Sequence, residues 1–172
     1  QQTEARFVGS KECRACHQTE FDKWQGSHHD LAMDVANDET VLGDFENKSF
    51  ADPHNGVSSR FFRENGSFMV ETEGPDGKMG SFEITHVFGV YPLQQYLVPF
   101  PGGRLQCLNI AWDSRDSRWY RLPPYDVRGS GDWLHWTKGG QTWNGMCAEC
   151  HSTRLRKGFD IDSNLYATNW FE

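Results

Sequence analysis

The chain has few aliphatic residues and no long apolar run. Only 37% of its 172 residues are hydrophobic, and no stretch approaches the ~20 apolar residues that a membrane-spanning helix requires. Basic residues are also scarce: 17 Lys and Arg stand against 24 Asp and Glu, and the formal net charge is −7. This charge argues against nucleic acid and anionic membranes as partners. The motifs include no phosphate-binding loop, dinucleotide fingerprint or nucleophile–base pair, so the corresponding enzyme classes are without support.

Cysteine is rare too, yet four of the five cysteines belong to two copies of one motif. Residues 13–17 (CRACH) and 147–151 (CAECH) both read C-x-x-C-H, the attachment site of a c-type haem. In such a site the two thiols add to the vinyl groups of the porphyrin, and the histidine becomes the proximal ligand of the iron. We therefore expect two covalently bound haem c groups. The residues that attach and ligate them are Cys13, Cys16 and His17, and Cys147, Cys150 and His151.

The motif cysteines also suit two other uses. A zinc site would employ the same four thiolates, but zinc ribbons separate their cysteine pairs by roughly 15–20 residues, and zinc gives no reason for a histidine after each pair. A disulfide between cysteines three positions apart is strained. The fifth cysteine, Cys107, is expected to be a buried thiol on a strand, with an axial thiolate or an extra covalent haem link as alternatives.

The distal ligand of each iron decides its chemistry. A second histidine closes the iron and favours low spin, methionine raises the reduction potential, and an empty position permits catalysis. His29 follows the first motif closely and His135 lies among aromatic residues, so we expect these two histidines to be the distal ligands. His86 falls in a strand and is expected to be a structural residue. The other distal candidates are His28, His54 and Met33.

Turn signals and residue alternation predict an α+β chain with much irregular structure. In the first haem segment, residues 1–50, Ser10 is expected to cap a helix that carries the first motif and runs through Trp24. Ser27 is expected to cap a second helix over residues 28–36. The second haem segment, residues 126–172, is rich in Gly, Pro and Trp and is expected to be mostly irregular.

The middle of the chain, residues 51–125, reads as a β-rich insertion. Asn65-Gly66 is a strong hairpin signal between residues 60–63 and 67–73, and a Gly-Pro-Asp-Gly turn leads into residues 81–88. Another hairpin is expected between residues 104–112 and 117–122. The predicted fold is a single dihaem cytochrome c domain, 1–172, in which short haem-binding helices at both ends flank an antiparallel β-meander.

Several segments resemble multihaem cytochromes c. Residues 7–13 (FVGSKEC) and 24–29 (WQGSHH) are similar to the opening of the group that includes cytochrome c-554, the tetrahaem cytochrome of ammonia oxidisers. Other segments resemble a family of exported multihaem cytochromes that often carry C-terminal tetratricopeptide repeats. These segments are residues 88–97 (FGVYPLQQYL), 101–106 (PGGRLQ), 111–115 (AWDSR), 134–137 (LHWT), 143–144 (WN) and 146–153 (MCAECHST).

The resemblance implies that His17 and His151 are proximal ligands and that His29 and His135 are distal ones. Family members usually continue into a further C-x-x-C-H motif soon after the point at which this sequence stops, and the sequence contains no repeat domain. It is therefore expected to be a reduced dihaem version or a fragment of a longer protein. Cys107 departs from the resemblance, because a small or apolar residue is expected at its position.

Electron transfer through two bis-His, low-spin haems is the expected function. Covalent haem attachment normally takes place outside the cytoplasm, so we expect an exported, periplasmic or extracellular protein with Gln1 near its mature terminus. The expected partners are redox proteins such as other cytochromes. The alternatives are a haem-based reductase or peroxidase with an open distal site, a gas- or redox-sensing module, and a subunit of an electron-conducting cytochrome polymer, that is, a homo-oligomer or filament.

Overall fold

The computed structural model describes residues 6–127 and 129–171, and Gln1, expected near the mature terminus, lies outside them. Within these ranges the chain forms three α-helices and twelve β-strands. The helices are α1 (Ser10–Cys13), α2 (Gln18–Trp24) and α3 (Trp143–Met146). The strands are β1 (Met33–Val35), β2 (Lys48–Ala51), β3 (Ser58–Glu64), β4 (Ser67–Glu73), β5 (Met79–Ile84), β6 (His86–Phe88), β7 (Leu93–Phe100), β8 (Arg104–Cys107), β9 (Ile110–Asp113), β10 (Arg118–Arg121), β11 (Phe159–Asp160) and β12 (Leu165–Tyr166).

The predicted α+β fold with haem-binding helices at both ends is wrong, because the chain is mostly antiparallel β-structure. None of the α-helices in the described ranges exceeds seven residues. Since α1 ends at Cys13 and α3 ends at Met146, the C-x-x-C-H motifs lie mainly in turns that follow these helices. Helices this short are marginal unless tertiary packing supports them, and Phe21 is the one buried residue of α1 and α2. None of the described helices is long and apolar enough to cross a membrane.

The helix predicted over residues 28–36 is also wrong. Gly26 has φ +74° and follows the last turn of α2. Ser27 then accepts a hydrogen bond from the backbone N–H of Asp30 at 3.3 Å, which closes a turn. The chain leaves this turn in an extended conformation and forms β1, which pairs with β6 in register Met33↔Phe88. Pairing with a distant strand overrides the local helical signal.

A four-stranded antiparallel sheet, in the order β2-β3-β4-β5, forms the first layer. The predicted Asn65-Gly66 hairpin is confirmed: Asn65 and Gly66 have φ +50° and +88°, and Glu64 pairs with Ser67. Both central residues of this turn need a positive φ, which Asn and Gly tolerate best. The residues predicted as one strand, 81–88, are divided between β5 of this sheet and β6 of the second sheet.

The second sheet has the order β1-β6-β7-β9-β10, with β8 paired to β7. The predicted hairpin around residues 113–116 is confirmed for β9 and β10, which pair from Asp113↔Arg118 to Ile110↔Arg121. Residues 104–107 of its predicted first strand instead form the separate strand β8, which pairs with β7. The larger apolar core includes Phe61 and Phe68 from the first sheet and Tyr96 from the second. A smaller buried cluster contains Phe88, Leu97, Cys107, Trp143 and Ala148. Because Ala148 belongs to the second C-x-x-C-H motif, this cluster holds part of that motif in the protein interior.

Candidate functional site

The first C-x-x-C-H motif lies on the surface between two short helices. The His17 backbone N–H donates to the Cys13 carbonyl at 2.9 Å, which closes a tight turn around Cys16. Cys13, Cys16 and His17 are all exposed. The helix α2 begins at the next residue. The turn therefore presents both thiols and the imidazole to solvent, where a porphyrin has access to them.

The second motif is anchored to the β-sheet through α3. The Asn144 side-chain oxygen accepts from the Leu105 backbone N–H at 2.8 Å, and the Cys147 backbone N–H donates to the Trp143 carbonyl at 3.0 Å. The His151 ring meets the Phe88 ring edge-on, with 5.2 Å between the ring centroids. This motif is consequently half-embedded in the smaller cluster, unlike the first one.

A cavity of about 460 Å³ lies between the two haem segments. Phe21 and Trp24 of α2 line one part of it, and His29 lines it from the turn that follows. Cys150 and His151 line it from the second motif. A volume of this size falls within the range of roughly 300–1,000 Å³ that is usual for cofactor sites. The fold thus brings His29 to the same cavity as the second motif, not the first.

The residues around this cavity fit a haem attached to the second motif. The Nδ1 atom of His151 is buried and has no hydrogen-bond partner among the described residues, which is unfavourable unless a group from outside the chain completes its surroundings. The described residues include no group of three His, Cys, Asp or Glu side chains that could hold a bare metal ion. A haem iron takes four nitrogens from the porphyrin and needs only an axial residue on either side, such as His151 and His29.

The adjacent histidines His28 and His29 have different surroundings. His28 stacks on Tyr91 with 6.0 Å between the ring centroids, whereas His29 lines the cavity. Met33, the methionine singled out from the sequence, lines the same cavity from β1. His54 is exposed and stacks on Tyr125, with the ring centroids 4.2 Å apart and the planes at 15°.

His86 lies on β6, so its predicted placement in a strand is confirmed. Its Nδ1 atom is 3.0 Å from the Thr85 hydroxyl, and its ring meets Trp170 with 5.8 Å between the ring centroids. Burial lowers the pKa of His86, and the nearby Asp34 carboxylate opposes this effect. These contacts give the side chain a structural role at the edge of the second sheet.

His135 is buried in a polar part of the β-core. Its Nδ1 atom lies 2.8 Å from the Thr137 hydroxyl, and its Nε2 atom lies 3.4 Å from a carboxylate oxygen of Glu73. Burial, reinforced by Lys138 and Arg121, lowers the pKa of His135 to about 4. The neutral ring accepts at Nδ1, where the Thr137 backbone N–H donates at 3.4 Å, and carries its hydrogen on Nε2, the atom that faces Glu73. The cavity that His135 lines measures about 20 Å³, so ligation of a haem iron would require the ring to leave these partners.

A pH-dependent stability is expected from His135. Its folded pKa lies below the unfolded value of 6.5, so the unfolded chain binds this proton more readily. The stabilisation is present above about pH 6.5 and is lost as the pH falls towards 4. At pH 5 the free energy of unfolding should be about 2 kcal/mol lower than at pH 7 through this ring alone. Urea unfolding of the wild type and of His135→Asn at both pH values measures this contribution as the difference between the two proteins.

Unfolding at pH 8 is the control, because the His135 ring is then neutral in both the folded and the unfolded chain. The difference in stability between the wild type and His135→Asn at this pH measures only the contacts that the ring makes. An iron-bound ring would not take up this proton. A pH dependence that is the same in the wild type and in His135→Asn would contradict the core role and favour the predicted role of His135 as a distal ligand.

Cys107 is a buried thiol at the end of β8, as expected from the sequence. Its Sγ atom lies 3.8 Å from the Sγ atom of Cys147. The two thiols are within hydrogen-bonding distance, and either sulfur can donate; this contact lowers the pKa of Cys147 and, together with burial, raises the pKa of Cys107. The sequence contains no signal for this contact, because the residues are 40 positions apart and meet only where α3 packs on β8.

One family of known proteins matches part of the chain. Residues 12–57 match the family model described as "Cytochrome c554 and c-prime". The matched segment contains the first C-x-x-C-H motif, the adjacent histidines His28 and His29, and His54. No curated protein and no solved structure matches the chain.

Proposed function

We propose that this chain is a c-type cytochrome that carries two covalently bound haems and passes electrons between them. The match of residues 12–57 to the family model of cytochrome c554 and c-prime supports the proposal, because members of that family hold haem c covalently and transfer electrons. The second C-x-x-C-H motif lies outside the matched segment and supports the second haem. The proposed proximal ligands are His17 and His151. Each haem c, when bound, supplies an iron that accepts and releases one electron.

The shared cavity carries the proposal for ligation. His29 and His151 line it from separate segments of the chain, so His29 is the proposed distal ligand of the haem attached to Cys147 and Cys150. A ligand donated by the first segment to the second haem would tie the two haem segments together. The sequence predicted His135 as the other distal ligand, with His28 and His54 as alternatives; because Thr137 and Glu73 hold the His135 ring in the β-core, it would have to leave these partners to bind an iron.

In this proposal the residues around the cavity bind the iron, contact the porphyrin and influence the reduction potential. His29 and His151 would hold the iron from both sides and leave no open position, which favours electron transfer over substrate binding. Phe21, Trp24 and Met33 would cover the porphyrin with apolar surface and limit its contact with water. The polarity of the cavity lining, which also includes Lys11, Gln25 and Asp30, and the two imidazoles would together determine the reduction potential.

The proposed partners are redox proteins that present a positive surface. The net charge of −7 supports this choice, because charge complementarity guides the encounter of electron-transfer partners. Export is proposed as well, since the covalent attachment of haem c normally takes place outside the cytoplasm.

Haem counting tests the proposed function. The wild type is expected to contain two haems per chain by pyridine haemochrome analysis, one for each C-x-x-C-H motif. Cys13→Ser/Cys16→Ser should lose the first haem, and Cys147→Ser/Cys150→Ser should lose the second. Mass spectrometry of the haem peptides identifies the attachment site even where a variant folds poorly. Zinc in place of haem would overturn the proposal, and a high-spin haem that binds cyanide or nitrite would favour a reductase or peroxidase instead.

A further inference from the structure

The second haem site contains a third thiol that the first site lacks among the described residues. Cys107 Sγ lies 3.8 Å from the Sγ atom of Cys147, the first cysteine of the second motif. The corresponding thiol of the first motif, Cys13, instead contacts the carbonyl oxygen of Gly9 at 3.9 Å. Only 2% of the Cys107 surface is exposed, so its thiol has little contact with solvent. The neighbouring sulfur of Cys147 lies within reach of it.

Hydrogen bonds on both sides of this thiol pair hold it in place. Gln106, next to Cys107, donates from its side-chain amide to the Trp136 and Lys138 carbonyls at 3.0 and 2.9 Å. The Thr142 hydroxyl donates to the oxygen of the same amide at 2.6 Å. On the other side, Asn144 accepts from the Leu105 backbone N–H at 2.8 Å. These bonds fix α3 against β8, and with them the distance between the two sulfur atoms.

We infer that Cys107 and Cys147 form a disulfide in chains that lack the second haem, and that this disulfide must be reduced before that haem can be attached. The inference rests on the proposed function, because it assumes that Cys147 is a haem-attachment residue. A disulfide requires an S–S distance of about 2.05 Å. The two sulfur atoms, now 3.8 Å apart, would therefore have to approach by about 1.8 Å for this bond to form.

The two reactions compete for one sulfur atom. Disulfide formation removes one hydrogen atom from each thiol, and a disulfide-containing oxidant of the exported compartment accepts the two protons and two electrons as it becomes a dithiol. Haem attachment instead needs the intact Cys147 thiol: its sulfur bonds to one vinyl carbon, its hydrogen goes to the other, and the double bond becomes single. A disulfide sulfur carries no hydrogen and cannot undergo this addition.

Reduction reverses the block. A dithiol reductant that supplies two electrons and two protons restores both thiols, after which Cys147 is free to add to the porphyrin. Cys107 then remains as a buried thiol beside the thioether. The first haem site is expected to load independently of this step, because Cys13 and Cys16 are exposed and lie outside the smaller cluster.

Thiol mapping of the exported full-length chain tests the inference directly. The haem-loaded and haem-free fractions are alkylated, digested and analysed by mass spectrometry. Chains without the second haem should yield a peptide pair linked through Cys107 and Cys147, whereas chains with both haems should yield alkylated Cys107. A Cys147–Cys150 disulfide, or alkylated Cys107 in the chains that lack the second haem, would overturn the inference.

A loading experiment with Cys107→Ala adds a second measurement. In wild-type cells, withdrawal of the dithiol reductant should lower second-site haem peptides roughly tenfold relative to first-site peptides. Cys107→Ala should load the second site equally well with and without the reductant. The first site is the internal control. Equal dependence on the reductant in both proteins would contradict the inference, whereas haem missing from both sites would contradict the proposed function and leave the thiol mapping valid.

Discussion

Replacement of His29 by alanine is expected to convert one of the two proposed haems from low spin to high spin. Both His29 and His151 line the cavity of about 460 Å³. Removal of the His29 imidazole would leave the iron attached to the second motif with His151 alone, and a five-coordinate iron is high spin and open to small ligands. Optical and EPR spectra of the oxidised protein measure the change.

His28→Ala is the matched control for this variant. The two histidines are adjacent in the sequence, but His28 stacks on the exposed ring of Tyr91 and does not line the cavity. We expect the spectra of His28→Ala to match those of the wild type. Spectral changes in His28→Ala but not in His29→Ala would reverse the assignment and make His28 the ligand.

His29→Met extends the same test to the reduction potential. Methionine as an axial ligand raises the potential of a haem, and axial ligands as a group span roughly 0.8 V. One of the two potentials in a redox titration should therefore rise by a substantial part of that range, while the other stays unchanged. Variants that combine His29→Met with loss of the first or the second pair of motif cysteines show which haem His29 ligates.

Replacement of Arg121 by methionine is expected to lower the free energy of unfolding by about 3–5 kcal/mol. The Arg121 guanidinium donates to the Asp52 carboxylate at 2.8 Å, and the two side chains are only 5% and 2% exposed. The same guanidinium donates to the carbonyls of Leu122 and Pro124. Burial lowers the pKa of Arg121, and the Asp52 carboxylate opposes this effect. Without Arg121, the Asp52 carboxylate would remain buried with no opposite charge.

Arg118→Met provides the comparison on the same strand. Arg118 pairs with Asp116 at 3.3 Å, but the two side chains are 64% and 55% exposed. Surface pairs of this kind contribute no more than about 1 kcal/mol. Urea unfolding followed by far-UV circular dichroism measures both variants. In the double variant Asp52→Asn/Arg121→Met the buried charge is also removed, so its stability should exceed that of Arg121→Met. Equal losses in Arg118→Met and Arg121→Met would refute the role assigned to the buried pair.

Local sequence signals predicted those parts of the fold that depend on neighbouring residues. The hairpin at Asn65-Gly66 forms because two adjacent residues accept a positive φ, whatever the rest of the chain does. The β9–β10 hairpin follows from the turn around residues 113–116 in the same way. The expectation of a cytochrome c-554-like N-terminal region was confirmed by the match to residues 12–57, because it rested on contiguous motifs.

Predictions that depended on distant contacts failed or were not made. The central strand β7 was not predicted because it lacks the alternation of exposed and buried residues that marks a strand at the surface. Its buried residues include three in a row, Tyr96, Leu97 and Val98, as well as Gln94. The Gln94 amide bonds to the Leu42 N–H and the Thr40 carbonyl, more than fifty residues earlier. The helix predicted over residues 28–36 became β1 because β6 was available as a partner.

The sequence by itself indicated covalent haem attachment, because that chemistry depends on two thiols and a histidine spaced within five residues. Only the tertiary structure decided which residues surround the second motif. It placed His29 and His151 at the same cavity and Cys107 against Cys147. Both juxtapositions arise from the packing of segments that are far apart in the chain, and such packing leaves no periodic or local pattern in the residues that it brings together.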